Sequence, residues 1–300
     1  MIGTKMNTFL KVAEYLNFTK AAESLYMTQP AVSQQIKQLE EEVGAKLFIR
    51  NKTGLILTQQ GEIVLKYSRR QKALYEKMML EIQSVDKAVG PLRIGITHTS
   101  ESNVTASALA KFSIENDGAR IIITSDSIKN LYDKLENYEL DLAIVDGAEN
   151  NPKFSSMLLD TDYLMCVLSP DSPLAKRSAV TIGDLKSQKM ILRTAESATR
   201  KLFEETLAAN NEDMAFFDII LEVDNIATIK DLVRMDLGVS ILPRSACMDE
   251  LKKGKITVLP IENLSMIREV NILYHHTFRH AEILQDIVKI YNETAKSVRS

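Results

Sequence analysis

An α/β protein with a helical N-terminal part, one long connecting helix and a larger alternating part is what the sequence predicts, on three observations. Residues 6–39 carry apolar side chains at helical spacing. Residues 62–89 contain neither Gly nor Pro. Beyond Pro91, nine apolar, β-rich runs alternate with helical segments. The 300 residues leave room for two domains of ordinary size, and 45% hydrophobic with 26% charged residues excludes disorder, collagen and small disulfide scaffolds.

Taken in order, Met6, Phe9, Leu10, Ala13 and Leu16 give a first amphipathic helix that stops near Asn17. Thr19 is placed to cap a second, short helix over residues 20–25. Thr28 is placed to cap a third, with Pro30 in its first turn, where a missing N–H costs nothing. After Gly44 the pattern becomes strand, turn, strand over residues 46–50, 51–54 and 55–58. Three helices followed by a small hairpin make a winged helix-turn-helix, assigned to residues 1–61. Residues 62–90 form a linker helix whose apolar seam, Val64, Tyr67, Leu74, Met78, Ile82, Val85 and Val89, steps mostly by threes and fours. A lone helix cannot bury such a seam, so a partner chain is its natural cover; Gly90 and Pro91 then end the helix. From 91 to 300 the β-rich runs fall at 92–97, 120–124, 140–145, 163–168, 190–192, 216–223, 239–242, 256–259 and 269–275. Such alternation predicts mostly parallel sheets, with strands enough for two small subdomains sharing a hinge.

The third helix has a distinctive polar face. At 100° per residue, Val32, Ile36, Leu39 and Val43 fall in one apolar stripe, and Pro30, Ser33, Gln34 and Lys37 fall opposite. Gln pairs bidentately with adenine, Ser meets either base edge, and Lys reaches guanine or phosphate. Acidic residues are absent from the first three turns and begin at Glu40, as a helix entering the major groove by its N-terminal half requires. A polar helix face ordinarily just meets solvent. Here a short helix before it, a hairpin with Arg50 and Lys52 at its tip, and a dimerising helix after it complete the set that reads duplex DNA. Charge agrees: the net −3 divides into 13 Lys+Arg against 9 Asp+Glu in residues 1–90, and 24 against 31 in residues 91–300. The expected partner is a double-stranded DNA operator.

In the acidic part, ligands belong outside the carboxyl ends of strands and at helix N-termini. The first such place is Thr97, His98, Thr99 and Ser100. The second follows Leu192: Arg193, Thr194, Ser197 and Thr199, with Arg193 or Arg200 supplying charge. Ser197 and Thr199 serve equally well as helix caps, and Arg200 as a partner of Glu204. Asp126, Ser127 and Asn225 are further rim candidates. The expected ligand is a small-molecule effector, polar or anionic.

Phe18, Thr19, Lys20, Ala21, Ala22, Glu23, Ser24 and Leu25, followed by residues 28–36 and 39–48, closely resemble the N-terminal signature of LysR-type transcriptional regulators. Residues 57–62 resemble that family's exit from the wing into the linker helix, and residues 237–243 its turn into a strand. The resemblance implies that Thr28, Gln29, Pro30, Ser33, Gln34 and Lys37 face the groove and that Arg50 anchors the wing. Position 34 is often Arg in the family, whereas Gln34 is uncharged. It also implies a homotetramer arranged as a dimer of dimers, RNA polymerase as a further partner, and an effector domain over 91–300 similar to periplasmic binding proteins. That domain would comprise subdomain I, 91–163 and 268–300, and subdomain II, 164–267, crossing at 163–170 and 265–270 with the effector between them. Some branches read Glu-Gly-Ser-Gly-Thr-Arg where this sequence has Ala195 to Arg200.

Two cysteines, Cys166 and Cys247, fit a reducing compartment, and no apolar run of about 18 residues exists to span a membrane, so a cytoplasmic location is expected. His275, His276 and His280 lack defined ligand spacing, so neither metal nor cofactor is expected. No phosphate-binding Gly loop and no Gly-x-Ser-x-Gly elbow is present, and the chain reads as a regulator and not an enzyme. The alternative, an enzyme or solute-binding module with a DNA-binding appendage, needs a catalytic constellation or an export signal.

Overall fold

A computed structural model describes residues 3–52, 54–83, 91–98, 103–116, 119–147, 151–278 and 281–299. The chain falls into two compact units, Met1–Pro91 with Asp133–Leu140, and Leu92–Tyr132 with Asp141–Ser300.

In the first unit, α1 (Thr4–Tyr15), α2 (Phe18–Ser24) and α3 (Gln29–Val43) precede a hairpin of β1 (Phe48–Asn51) and β2 (Gly54–Leu57). Their apolar stripes meet in one core that includes Phe9, Val12, Ala22, Val32, Ile36, Leu39, Leu47 and Phe48. Asn17, not Thr19, caps α2: its Oδ1 accepts from the amides of Thr19 and Lys20 at 2.9 and 3.1 Å. The helix starts two residues earlier than the polar pattern suggests because the Phe18 ring packs edge-on against Phe48, 6.0 Å between centroids. Thr28 caps α3 through the Ala31 amide, and Gly44 closes it at φ 71°, a left-handed value that favours glycine. Val43, assigned by periodicity to the core stripe, is 44% exposed, because α3 ends there and its last turn extends past the core.

Thr58 joins the wing to α4 (Gln59–Gln83): its amide donates to the Leu47 carbonyl and its Oγ1 accepts from the Gly61 amide. A Cβ at position 61 would lie 2.2 Å from the Leu47 carbonyl oxygen, so only glycine lets the first turn of α4 approach the hairpin this closely. Along α4, Tyr67, Leu74, Met78 and Ile82 stand 45–62% exposed. Val85 and Val89 of the same predicted seam lie outside the described residues.

From Leu92 onward the chain alternates β3 (Leu92–Thr97), α5 (Asn103–Glu115), β4 (Ile121–Asp126), α6 (Ile128–Glu136, of which Asp133–Glu136 belong to the first unit) and β5 (Leu142–Asp146). There follow β6 (Phe154–Leu168), α7 (Ile182–Lys186), β7 (Lys189–Leu192), α8 (Ala198–Ala209), β8 (Asp218–Glu222) and α9 (Ile226–Arg234). The order ends with β9 (Ser240–Pro243), α10 (Met248–Lys252), β10 (Thr257–Leu259), β11 (Ile267–His275) and α11 (Ala281–Arg299). The main sheet runs β10-β6-β11-β5-β3-β4, with β9 also on β6; β7 and β8 form a separate parallel pair.

The expectation of mostly parallel sheets holds only for β3 with β4 and β5, and for β7 with β8. β6 and β11 pair antiparallel with each other and with their remaining neighbours. β6 also starts nine residues before the apolar run at 163: residues 154–162 mix buried, partly buried and exposed positions and are held as strand by pairing with β11. Up to Tyr163 it pairs with β11, and from Leu164 onward with β9 and β10. One core cluster joins Leu164, Cys166, Met190, Leu192, Phe203 and Ile241 behind α8.

Candidate functional site

The polar face of α3 is open. Thr28, Gln29, Pro30, Gln34 and Lys37 are exposed and Ser33 is half-buried. Gln29 Nε2 donates to Ser33 Oγ at 2.8 Å, one helical turn away, which pre-orients both side chains. Between α3 and the hairpin runs a groove lined by Ser33, Lys37 and Glu40 on one side and Lys46, Ile49 and Arg50 on the other. Glu40 is the one carboxylate bordering it; it is occupied by the Leu47 amide at 2.9 Å and by Lys46 Nζ at 2.6 Å. Arg50 and Lys52 are exposed on the hairpin. Two residues of this surface escaped sequence reasoning. Lys46 borders the groove, and Tyr26, in the turn before α3, is 98% exposed at a left-handed φ of 54°. A bulky residue at positive φ gives no signal in composition or periodicity.

The second unit contains a cleft of ≈ 560 Å³ at the carboxyl ends of its strands. Thr97 and His98 reach it from β3, Asp126 from β4, Ser127 and Lys129 from the start of α6, and Asp146 from β5. Arg193, Thr194, Glu196, Ser197 and Lys201 reach it from the passage between β7 and α8, and Asp224 follows β8. Ser127 and Ser197 accept from the amides of Asn130 and Arg200, capping α6 and α8, so two helix N-termini open on this cleft.

Arg193 is the unusual member. Its side chain is only 4% exposed, and Nη2 donates to Asp224 Oδ1 at 2.7 Å. Nε and Nη1 are buried with no acceptor among the described residues. A buried guanidinium N–H without an acceptor is costly, and a negatively charged oxygen in the cleft would satisfy it. Deeper, Thr97 Oγ1 donates to Asp146 Oδ2 at 3.0 Å. Arg268 lies between Asp146, 3.0 Å away, and Asp162, 3.3 Å away, and Ser245 Oγ donates to Asp162 at 2.6 Å.

Of the residues singled out from sequence, Thr97, His98, Arg193, Thr194 and Ser197 line the cleft together with Asp126 and Ser127. Thr99 and Ser100 lie outside the described residues. Thr199 is 2% exposed and does not line the cleft: two residues beyond the cap it points roughly 200° around the helix, into the interior. Asn225 caps α9 through the Thr228 amide at 3.0 Å and leaves the lining to Asp224. Arg200 is buried against Glu204 and Glu222, away from the cleft. Lys129, Asp146, Lys201 and Asp224 were not anticipated; Asp146 and Asp224 end or follow β-rich runs, a signal that was available.

Other chemistry is sparse. Cys166 and Cys247 are buried, and burial pushes both thiols up to about 12. Among the described residues no group of three or more His, Cys, Asp or Glu is placed to hold a metal ion. His276 is engaged by Ser155 Oγ at 2.8 Å and the Pro152 carbonyl at 2.7 Å, and His280 lies outside the described residues. No described helix is long and apolar enough to cross a membrane.

Comparison with known proteins places both units. Residues 4–62 match the family model described as bacterial regulatory helix-turn-helix protein, lysR family, and residues 86–296 match the LysR substrate binding domain. A chain of Thalassiosira pseudonana named "Probable RuBisCO transcriptional regulator" is 29% identical over 275 residues, 90% of each chain. Full-length CbnR, solved in complex with its target DNA, superposes with a TM-score of 0.71 at 17% identity, over 97% of this chain and 98% of that one. The effector binding domain of QuiR in complex with shikimate does so with a TM-score of 0.57 at 21% identity, over 70% of this chain and 99% of that one. With a helix-turn-helix unit of that family at one end and its ligand-binding domain over most of the remainder, the chain belongs to the LysR family of DNA-binding transcriptional regulators.

Proposed function

We propose that the regulator reads its operator through Thr28, Gln29, Pro30, Ser33, Gln34 and Lys37 of α3 in the major groove, while Arg50 and Lys52 hold the backbone beside it. The acid-free face of α3 and the Gln29–Ser33 hydrogen bond support this assignment. The domains are a DNA-binding domain over 1–61, a linker helix over 62–90 and an effector domain over 91–300, divided into 91–163 with 268–300 and 164–267. The exposed apolar residues of α4 support dimerisation through that helix. A dimer of dimers then presents paired helices to a partly palindromic operator, where it engages RNA polymerase. The chain acts in the cytoplasm, as a sensor and not as a catalyst.

The effector is small and polar, and its anionic group enters the cleft to meet Arg193. One observation carries this reading: a guanidinium 4% exposed, with two nitrogens lacking an acceptor among the described residues, in the lining of the strand-end cleft. The shikimate complex of QuiR supports placing a small molecule in this domain.

For the DNA half, operator binding by fluorescence anisotropy across a salt series is the test. Gln29→Ala and Ser33→Ala should each lose about 1–3 kcal/mol at particular base pairs, with binding to random duplex unchanged. Variants that bind operator and random duplex as the wild type does would remove α3 from the groove.

A further inference from the structure

Helix α2 closes on a residue that the fold does not need. The Tyr26 amide donates to the Glu23 carbonyl at 3.1 Å and the Met27 amide to the Ala22 carbonyl at 2.9 Å, the paired bonds that end a helix on one left-handed residue, most often glycine. Helix α3 ends in the same manner, the Ala45 amide donating to the Glu40 carbonyl, and there the left-handed position is filled by Gly44. At the end of α2 it is filled by Tyr26, at φ 54°. A bulky side chain at positive φ is strained, and such strain persists where packing or function requires that residue. Tyr138, at φ 59°, is half-buried, and Leu16, at φ 46°, is 43% exposed. Tyr26 is 98% exposed, and its side chain has no hydrogen bond, ion pair or ring contact among the described residues. Packing therefore does not account for it.

Position supplies a use for it. Thr28, two residues on, caps α3, and Gln29 and Pro30 begin that helix. Resting on the assignment of α3 to the major groove, a side chain standing free in the turn just before its N-terminus meets the phosphate backbone at the groove's edge. Tyrosine is among the side chains that donate to phosphate oxygens and so fix a protein's register on the duplex. We propose that Tyr26 is a DNA-contacting residue, its hydroxyl donating to a backbone phosphate oxygen beside the groove that α3 enters.

The test uses the full chain and a duplex that it selects from a random-sequence pool, with fluorescence anisotropy across a salt series and thermal melting without DNA. Tyr26→Phe removes only the hydroxyl; Tyr26→Gly removes the side chain and relieves the left-handed turn. Both should weaken the selected duplex and an unrelated duplex by the same factor, at least about tenfold, because the lost bond is to a charged group and carries no sequence information. A hydroxyl is a neutral donor and releases no counterion, so the slope of log affinity against log salt should stay unchanged. Tyr26→Phe should melt as the wild type does, and Tyr26→Gly at the same temperature or higher. With single backbone phosphates of the selected duplex replaced by methylphosphonate, one position should cost the wild type more affinity than it costs Tyr26→Phe. Wild-type affinity in Tyr26→Phe and Tyr26→Gly, with Gln29→Ala impaired, would overturn the contact while leaving α3 in the groove. Wild-type affinity in all three would overturn the assignment of α3 itself. Normal binding by Tyr26→Phe beside impaired binding by Tyr26→Gly would overturn the role of the hydroxyl, and a lower melting temperature for Tyr26→Gly would overturn the proposal by showing that the tyrosine serves the fold.

Discussion

Replacing Arg193 by methionine separates what this residue does for the fold from what it does for the ligand. In the free protein its guanidinium makes one ion pair, to an Asp224 side chain 64% exposed, and leaves Nε and Nη1 buried without acceptors. An ion pair with so exposed a partner is worth about 0–1 kcal/mol, and Asp224 remains hydrated when it is lost. Each buried polar group left unpaired costs about 1–3 kcal/mol. Methionine has a similar reach and no donors, so Arg193→Met should leave the free protein equally stable or more stable by about 1–2 kcal/mol. For a domain of this size that corresponds to a rise of about 2–8 °C in the melting temperature. The same substitution removes two charged donors for an anionic ligand, at about 1.5–3 kcal/mol for each hydrogen bond, and should weaken binding by at least about a hundredfold. Calorimetric melting of both proteins without ligand, in a buffer free of small carboxylates and phosphate, measures the first quantity. A fall of several degrees would refute the reasoning, because it would mean that Arg193 is a satisfied structural residue whose packing the fold needs.

Two further outcomes follow from other parts of the molecule. Met78→Asp on α4 places a charge in the exposed apolar seam that also holds Leu74 and Ile82; it should weaken self-association at least tenfold in sedimentation velocity while thermal melting of each unit is unchanged, and an undiminished oligomer would show that the seam is not the interface. With Cys166 and Cys247 pushed up to about 12, the thiolate fraction at pH 8 is about 10⁻⁴, so Ellman's reagent should react only on unfolding, and rapid labelling of the native chain would contradict their burial. A thiol raised above its unfolded value keeps its contribution to stability at neutral pH and loses it as pH climbs from about 9 towards about 12, so alkaline melts should show a progressive loss of stability.

The DNA-reading unit was largely legible because its determinants are local. Helical period, a Thr28 cap, a Pro in the first turn and a Gly at φ 71° act within a few residues of one another. The errors there are tertiary. Phe18 extends α2 because a ring from the hairpin receives it, and Val43 keeps the core period after the core has ended. In the larger unit, strands buried on both faces announced themselves as apolar runs, whereas residues 154–162 did not. Ser155, Ser156, Asp160 and Thr161 interrupt the run, and the strand becomes intelligible only once β11 pairs with it along its edge.

The cleft divides in the same way. The rule that ligands lie beyond strand ends was enough to find Thr97, His98, Arg193, Thr194 and Ser197, since each follows or ends an apolar run. Lys129 and Lys201 resemble any solvated lysine in a first helical turn; they converge only because α6 and α8 start at the same end of their strands. Sequence also left Arg193 and Arg200 as equal candidates for the charge. The structure separates them by what surrounds each. Arg200 is engaged by Glu204 and Glu222 and so has its negative charge within the protein, whereas among the described residues Arg193 has only the single oxygen of Asp224. A fold selected for stability alone would supply acceptors for the remaining N–H groups or replace the arginine with an apolar residue, so the departure from local satisfaction supports the proposal that a ligand meets Arg193 there.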